Sequence, residues 1–310
     1  MLVVTGSIAY DYIMDYPEKF ADHILPDQIH NINLSFIVKT FAKRRGGTAG
    51  NASYSLALLD TPHILFSAAG KDFDEYRQSF EKIGANTKHV KIHKETYTST
   101  GFAMTDKDNN QIWGFFYGAG EHTDKLDLKK IAGKKDIVLI GPQGAKGSMS
   151  FVNQCIKLGI PYMFDPGFIL TQVSDDELTK GVTHATYLIG NDYEINMIKT
   201  RVKNYEDAIK NKTVITTLGA KGAVIVSGGK KIVIKTTKPD KIIDPTGAGD
   251  AWRSGFFAGL HRNFDLQTCG QMGAVASSFA IEKYGTQEHA FTKSQFTKRY
   301  KKTYNQKIAL

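Results

Sequence analysis

Short apolar runs recur along the chain, most of them beside Gly, Asp or Pro: Leu2-Val3-Val4, Ile64-Leu65-Phe66, Ile137–Ile140, Tyr162-Met163-Phe164, Tyr187-Leu188-Ile189, Val214-Ile215-Thr216-Thr217 and Val224-Ile225-Val226. Polar residues do not alternate through them. Such runs suit strands of a parallel sheet covered on both faces. Helical patterns lie between several of them, over residues 48–59, 75–83, 148–158 and 193–198. Strands alternating with helices predict an α/β layer fold joined by right-handed crossovers.

Two segments break this rhythm. Residues 35–42 and 99–117 are rich in β-branched and aromatic side chains, and the second is split by the turn cluster Asp106-Lys107-Asp108-Asn109-Asn110. They read as antiparallel strands inserted into the α/β pattern. We expect a small β-sheet lid built from segments of about 10–45 and 92–120, placed to exclude water from an open sheet edge.

Composition narrows the class. With 310 residues, 41% apolar and 23% charged, the chain can bury a full core, as one large domain or a domain with an appendage. No apolar run reaches the ~20 residues of a membrane span. The N-terminus, Met1-Leu2-Val3-Val4-Thr5-Gly6, reads as a first strand and not as a signal peptide. Two cysteines, Cys155 and Cys269, make no disulfide framework, and no His/Cys cluster has zinc spacing. A cytoplasmic setting is expected. The net charge of +9 favours anionic partners. The lysines are scattered, however, with only short clusters such as Lys298-Arg299-Tyr300-Lys301-Lys302. No RNA-reading aromatic motif accompanies them, so neither nucleic acid nor membrane is an expected partner.

The chemistry concentrates in Asp244-Pro245-Thr246-Gly247-Ala248-Gly249-Asp250-Ala251-Trp252-Arg253. Small residues precede a helical pattern there. Three successive N–H groups, of Gly247, Ala248 and Gly249, can point at one anion from a helix N-terminus. Asp250 beside them can take the proton of a hydroxyl that attacks phosphorus. Arg253, on a neighbouring helix face, is placed to steady phosphate. No P-loop, zincin or nucleophile-elbow motif competes with this reading.

The segment closely resembles the signature of the ribokinase-like (PfkB) family of ATP-dependent sugar and nucleoside kinases. Further motifs resemble that family in its order: Gly6-Ser7-Ile8-Ala9-Tyr10-Asp11 its first strand and substrate loop, Arg45-Gly46-Gly47-Thr48-Ala49-Gly50-Asn51 its di-glycine motif, Asn191-Asp192-Tyr193-Glu194 its N-x-x-E motif, and Thr216-Thr217-Leu218-Gly219-Ala220-Lys221-Gly222 its nucleotide-side turn. Within the family the chain is most similar to bacterial adenosine kinases, although Gly167-Phe168-Ile169 departs from the glutamine-containing stretch of that group.

The resemblance implies a three-layer fold with a mostly parallel sheet and a β lid, ATP as donor with Mg²⁺, and room for K⁺. It assigns Asp11 and Asn51 to ribose hydroxyls, with Ser7 and Gly47 nearby, and Phe102 and Phe116 to stacking on a purine. It assigns Asn191, Thr217, Gly219, Gly222, Gly247 and Gly249 to ATP, and Glu194 to Mg²⁺ through water. The implied activity is transfer to a nucleoside 5′-hydroxyl, adenosine foremost. Ribose or another nucleoside is the alternative substrate, and a catalytically silent ligand sensor the alternative class. An exposed lid edge also allows a homodimer.

Overall fold

The computed structural model describes residues 1–24, 33–108 and 110–310. Part of the expected lid segment, residues 25–32, and Asn109 of the expected hairpin turn lie outside the described residues. The strands are β1 (Leu2–Thr5), β2 (Ala9–Asp15), β3 (Thr40–Gly46), β4 (His63–Leu65), β5 (Ala68–Gly70), β6 (Lys91–His93), β7 (Ser99–Thr105), β8 (Gln111–Phe116), β9 (Ile137–Ile140), β10 (Tyr162–Phe164), β11 (Tyr187–Asn191), β12 (Thr213–Thr217), β13 (Ala223–Ser227) and β14 (Lys230–Ile234). The helices are α1 (Thr48–Leu58), α2 (Asp74–Lys82), α3 (Ala145–Leu158), α4 (Asp175–His184), α5 (Asp192–Arg201), α6 (Tyr205–Ile209), α7 (Ala248–His261), α8 (Leu266–Ala280) and α9 (Lys293–Tyr304).

An eight-stranded sheet in the order β14-β13-β12-β11-β10-β9-β1-β4 forms the middle layer. Six neighbouring strands, from β12 to β4, run parallel. Their uninterrupted apolar runs divide by strict alternation. Leu2 and Val4 enter one core, with side chains of α1, α2, α7, α8 and α9, while Val3 enters the other, with α3, α4, α5 and α6. Each strand thus removes apolar surface from water on both faces, the main stabilising term of the layer. Among the described residues no helix is long and apolar enough to cross a membrane.

Val224-Ile225-Val226 departs from the parallel expectation. The strand that contains it, β13, pairs antiparallel with β12 and β14, because the five residues 218–222 are too few for a crossover.

The lid is a four-stranded sheet ordered β3-β2-β7-β8. Strand β3 lies further along than the expected 35–42. The pairing runs from Asp15 opposite Thr40 to Ala9 opposite Gly46, which draws Arg44, Arg45 and Gly46 into the lid. The expected segment 92–120 also narrows at its start, since β6 pairs with β5 in a separate two-stranded sheet. Outermost in the lid is β8, all six of whose residues are exposed.

Lid and body meet at Gly47, the N-cap of α1, with φ +88°. A Cβ there would lie 2.5 Å from the Ser7 carbonyl oxygen and 2.6 Å from the Ala9 nitrogen. The Ser7 hydroxyl accepts from the Thr48 N–H at 3.0 Å, and the Thr48 hydroxyl donates to the Pro142 carbonyl at 2.8 Å. Three segments are therefore tied at one joint. Gly47→Ala is expected to cost roughly 2 kcal/mol or more through backbone strain. Thermal denaturation checks it: a melting temperature several degrees lower is expected, and an unchanged one contradicts the joint.

Candidate active site

The C-terminal ends of the parallel strands converge on one crevice, where open α/β sheets present their ligand groups. Ser7 follows β1, Asp165 follows β10, and Asn191 and Thr217 are paired neighbours at the ends of β11 and β12. The N-terminus of α7 completes this edge. One oxygen of Asp244 accepts from the Thr246 N–H and the other from the Gly285 N–H, both at 2.9 Å. Gly247 then turns the chain into the helix with φ +77°, and a Cβ on it would lie 2.9 Å from the Thr286 side chain.

The expected anion hole of Gly247, Ala248 and Gly249 needs one correction. The Ala248 N–H donates to the Pro245 carbonyl at 3.2 Å and is spent in the turn. Among the described residues nothing accepts from the N–H groups of Gly247, Gly249 or Asp250. These three N–H groups stand open at the positive end of a 14-residue helix, an arrangement suited to an anion.

Asp250 lies in the first turn of α7. Its Oδ2 accepts from the Asn51 amide at 2.8 Å, and its Oδ1 is 3.9 Å from the Arg253 guanidinium. Burial raises its pKa, while Arg253 and Asn51 oppose the rise. Arg253 does not lie open to phosphate as expected. Its Nε is 2.5 Å from Asp165, and the guanidinium passes where a Cβ on Gly249 would stand, 2.6 Å away. Asp165 was not among the residues expected here. Burial raises its pKa too, and its second oxygen is buried without a partner. Its position just past β10, before Pro166, was the signal for it.

Asn51 is fixed from both sides, because its oxygen accepts from the Gln287 amide at 2.9 Å. The same amide donates to the Tyr76 hydroxyl at 2.5 Å, and Tyr76 donates to the Gly46 carbonyl at 2.8 Å. This relay ends at the lid, beside Asp11. The Asp11 carboxylate occupies the space over Gly46 and Gly101, where a Cβ would stand 2.5 Å and 2.8 Å from it. Burial alone pushes its pKa up to about 6. It is a carboxylate whose lost hydration no described cation restores.

A helix N-terminus with open N–H groups, a carboxylate beside it and a second carboxylate under a lid are groups that phosphoryl transfer can use. The model of the pfkB family carbohydrate kinases matches residues 1–293. The chain belongs to that family. It is 32% identical over 310 residues to a nucleoside kinase of Methanocaldococcus jannaschii, covering 97% of each chain. It is 30% identical to the adenosine kinase of Saccharomyces cerevisiae, over 77% of this chain and 76% of that one. The structure of Burkholderia thailandensis nucleoside kinase in complex with inosine superposes with a TM-score of 0.87, at 31% identity and 99% coverage of both chains.

The remaining kinase motifs fall around this centre. Asn191 and Glu194 form a reciprocal capping box on α5: each side chain accepts from the other's backbone N–H at 2.8 Å. Glu194 keeps its second oxygen and adds its charge to the field around Asp165 and Arg253. The Thr217 hydroxyl donates to the Gly190 carbonyl at 3.4 Å. Gly219 and Gly222 bound the short turn between β12 and β13. Ser7 serves the joint at Gly47 rather than standing free.

Phe102 and Phe116 are not on the face of Asp11. Register pairs Asp11 with Gly101, Gly101 with Phe115, and Ala103 with Trp113. By alternation, Phe102 and Phe116 point to the opposite face. Phe102 stacks there on Tyr12, with ring centroids 5.3 Å apart. The aromatic pair beside Asp11 is Trp113 and Phe115, mutually stacked at 5.3 Å and 5°. A Cβ on Gly101 would touch both rings and Asp11.

Asp11 binds more protons in the folded than in the unfolded chain between about pH 4 and 6. Its contribution to stability therefore falls as pH rises through that window. Asp11→Asn is expected to stabilise the ligand-free protein at pH 8 by on the order of 1–2 kcal/mol and to weaken acceptor binding at least ~10-fold. Denaturant unfolding and calorimetry check the two halves. A variant that is less stable and still binds contradicts this role.

Proposed function

We propose that this kinase transfers the γ-phosphoryl group of ATP to the 5′-hydroxyl of a purine nucleoside, adenosine foremost. The observation that carries the proposal is the Asp11 carboxylate lying beside the Trp113–Phe115 pair. An ionised carboxylate accepts from two vicinal hydroxyls, which matches a ribose diol. Flat rings next to it offer a stacking surface for a base. The named relatives that act on nucleosides support the same class.

In this reading the nucleoside lies between lid and crevice with its ribose on Asp11. Ribose contact by Asn51 would use the second N–H of its amide and the second lone pair of its oxygen, the other of each being held by Asp250 and Gln287. The 5′-oxygen points at Asp250. As the bond from that oxygen to γ-phosphorus forms, the bond from phosphorus to the β–γ bridging oxygen breaks, ADP leaves, and Asp250 takes the hydroxyl proton. The raised pKa makes Asp250 a better proton acceptor near neutral pH. The N–H groups of Gly247, Gly249 and Asp250 hold the oxygens of the moving phosphoryl group, where charge must be stabilised. The Gly219–Gly222 turn and the Asn191 and Thr217 strand ends face the nucleotide. Glu194, through water, and Asp165, with its unpartnered oxygen, suit the oxygen chemistry of Mg²⁺. Mg²⁺ bound with ATP would neutralise phosphate charge.

ADP formation from Mg²⁺-ATP with adenosine, inosine, guanosine, cytidine and ribose tests the proposal. Base stacking contributes ~1–3 kcal/mol, so purine nucleosides are expected to exceed ribose by about 10–100-fold in kcat/KM. Equal use of ribose would overturn it. Trp113→Ala is expected to raise KM for the nucleoside about 10-fold with kcat nearly unchanged, while Phe102→Ala leaves KM unchanged. The reverse pattern would return the base to the other face of the lid.

A further inference from the structure

Away from the crevice, His93 ends β6, Glu95 follows it, and His122 lies in the 3-10 segment Gly118–Lys125 just after β8. One ligand atom of each of these three side chains lies within 4.8 Å of the other two. His93 Nδ1 is 3.0 Å from the Glu95 carboxylate, and the two imidazoles stack with centroids 4.5 Å apart and 28° between planes. None of the kinase chemistry uses them.

The chain on either side of this cluster is laced together. The Lys71 N–H donates to the Thr96 carbonyl at 2.9 Å. The Ala119 N–H donates to the Tyr97 carbonyl at 2.9 Å, and the Ser99 hydroxyl to the Tyr117 carbonyl at 2.6 Å. The last two bonds join the segment that enters the lid to the segment that leaves it. His93 and Glu95 stand on the first, His122 on the second. The side chains are therefore brought together by a hydrogen-bonded frame, not by one flexible loop.

We propose that His93, Glu95 and His122 bind one divalent transition-metal ion of the zinc class and so bridge the two strands at the base of the lid. Two nitrogens and one carboxylate oxygen, with a solvent molecule as fourth ligand, form a tetrahedral donor set for Zn²⁺ or Co²⁺. Ligand atoms ~2.0–2.1 Å from zinc at tetrahedral angles lie about 3.3 Å apart, so a small rotation of each side chain closes the set. Lys88, Lys91, Lys125 and Lys130, against the single carboxylate Asp127, line the adjoining cavity of about 460 Å³. Their charge disfavours hard cations held by electrostatics alone, such as Mg²⁺ or Ca²⁺. Coordination by imidazole, which carries no charge, tolerates them better.

The test uses the whole protein, stripped with a chelator and titrated with Co²⁺ in excess Mg²⁺, which keeps the carboxylates of the crevice occupied. One Co²⁺ per chain is expected, with a visible absorption band that Zn²⁺ abolishes by displacement. His93→Ala and His122→Ala are each expected to weaken binding at least ~10-fold. Glu95→Gln, at an exposed position, is expected to weaken it less and guards against loss of fold in the histidine variants. Circular dichroism confirms that each variant is folded. No binding at 100-fold molar excess of Co²⁺, or binding that survives both histidine substitutions in folded protein, overturns the site.

Discussion

The guanidinium of Arg253 lies between two carboxylates, 2.5 Å from Asp165 and 3.9 Å from Asp250, with Glu194 adding to the same field. Asp165 belongs to the end of a central strand and Arg253 to α7. This ion pair thus holds the helix N-terminus against the mouth of the sheet. Gly249 has no side chain to obstruct the guanidinium. Taking such charges out of water is costly, and removal of the arginine would leave carboxylates buried without a counter-charge. Losses of that kind run to ~3–5 kcal/mol. The ion pair keeps the open N–H groups of α7 at a fixed place at the mouth of the sheet.

From that point the structure works outward through side chains that have little freedom. Asn51 orients Asp250, Gln287 orients Asn51, and Tyr76 ties the same amide to Gly46 at the lid joint. The Gly46 backbone, in turn, leaves room for Asp11. Asp250 and the Gly46 backbone beneath Asp11 are therefore set by one continuous hydrogen-bonded frame.

Much of this was legible from local pattern. The buried runs revealed the sheet because strands covered on both faces need no alternation. The Gly247–Asp250 segment marked a helix N-terminus with open N–H groups, because small residues precede the helix there. Features that depend on long-range register were not legible. Trp113, Phe115, Phe102 and Phe116 all sit on the lid hairpin, and only the pairing of Asp11 with Gly101 shows which two share its face. The start of β3 at Thr40 likewise follows from its pairing with β2. Arg253 was read from helix spacing alone, which cannot show that Asp165, 88 positions away, would claim it. Asp165 itself lies just past β10, where open α/β sheets present ligand groups, so it was within reach.

The account rests on Asp250 acting at the transition state rather than in binding. The most direct measurement compares Asp250→Asn with the native protein for both adenosine affinity, by calorimetry, and single-turnover phosphoryl transfer. The account predicts affinity within a few-fold and transfer slowed by ~10²-fold or more, the usual scale for a lost general base. Transfer at close to the native rate, with binding intact, would contradict it.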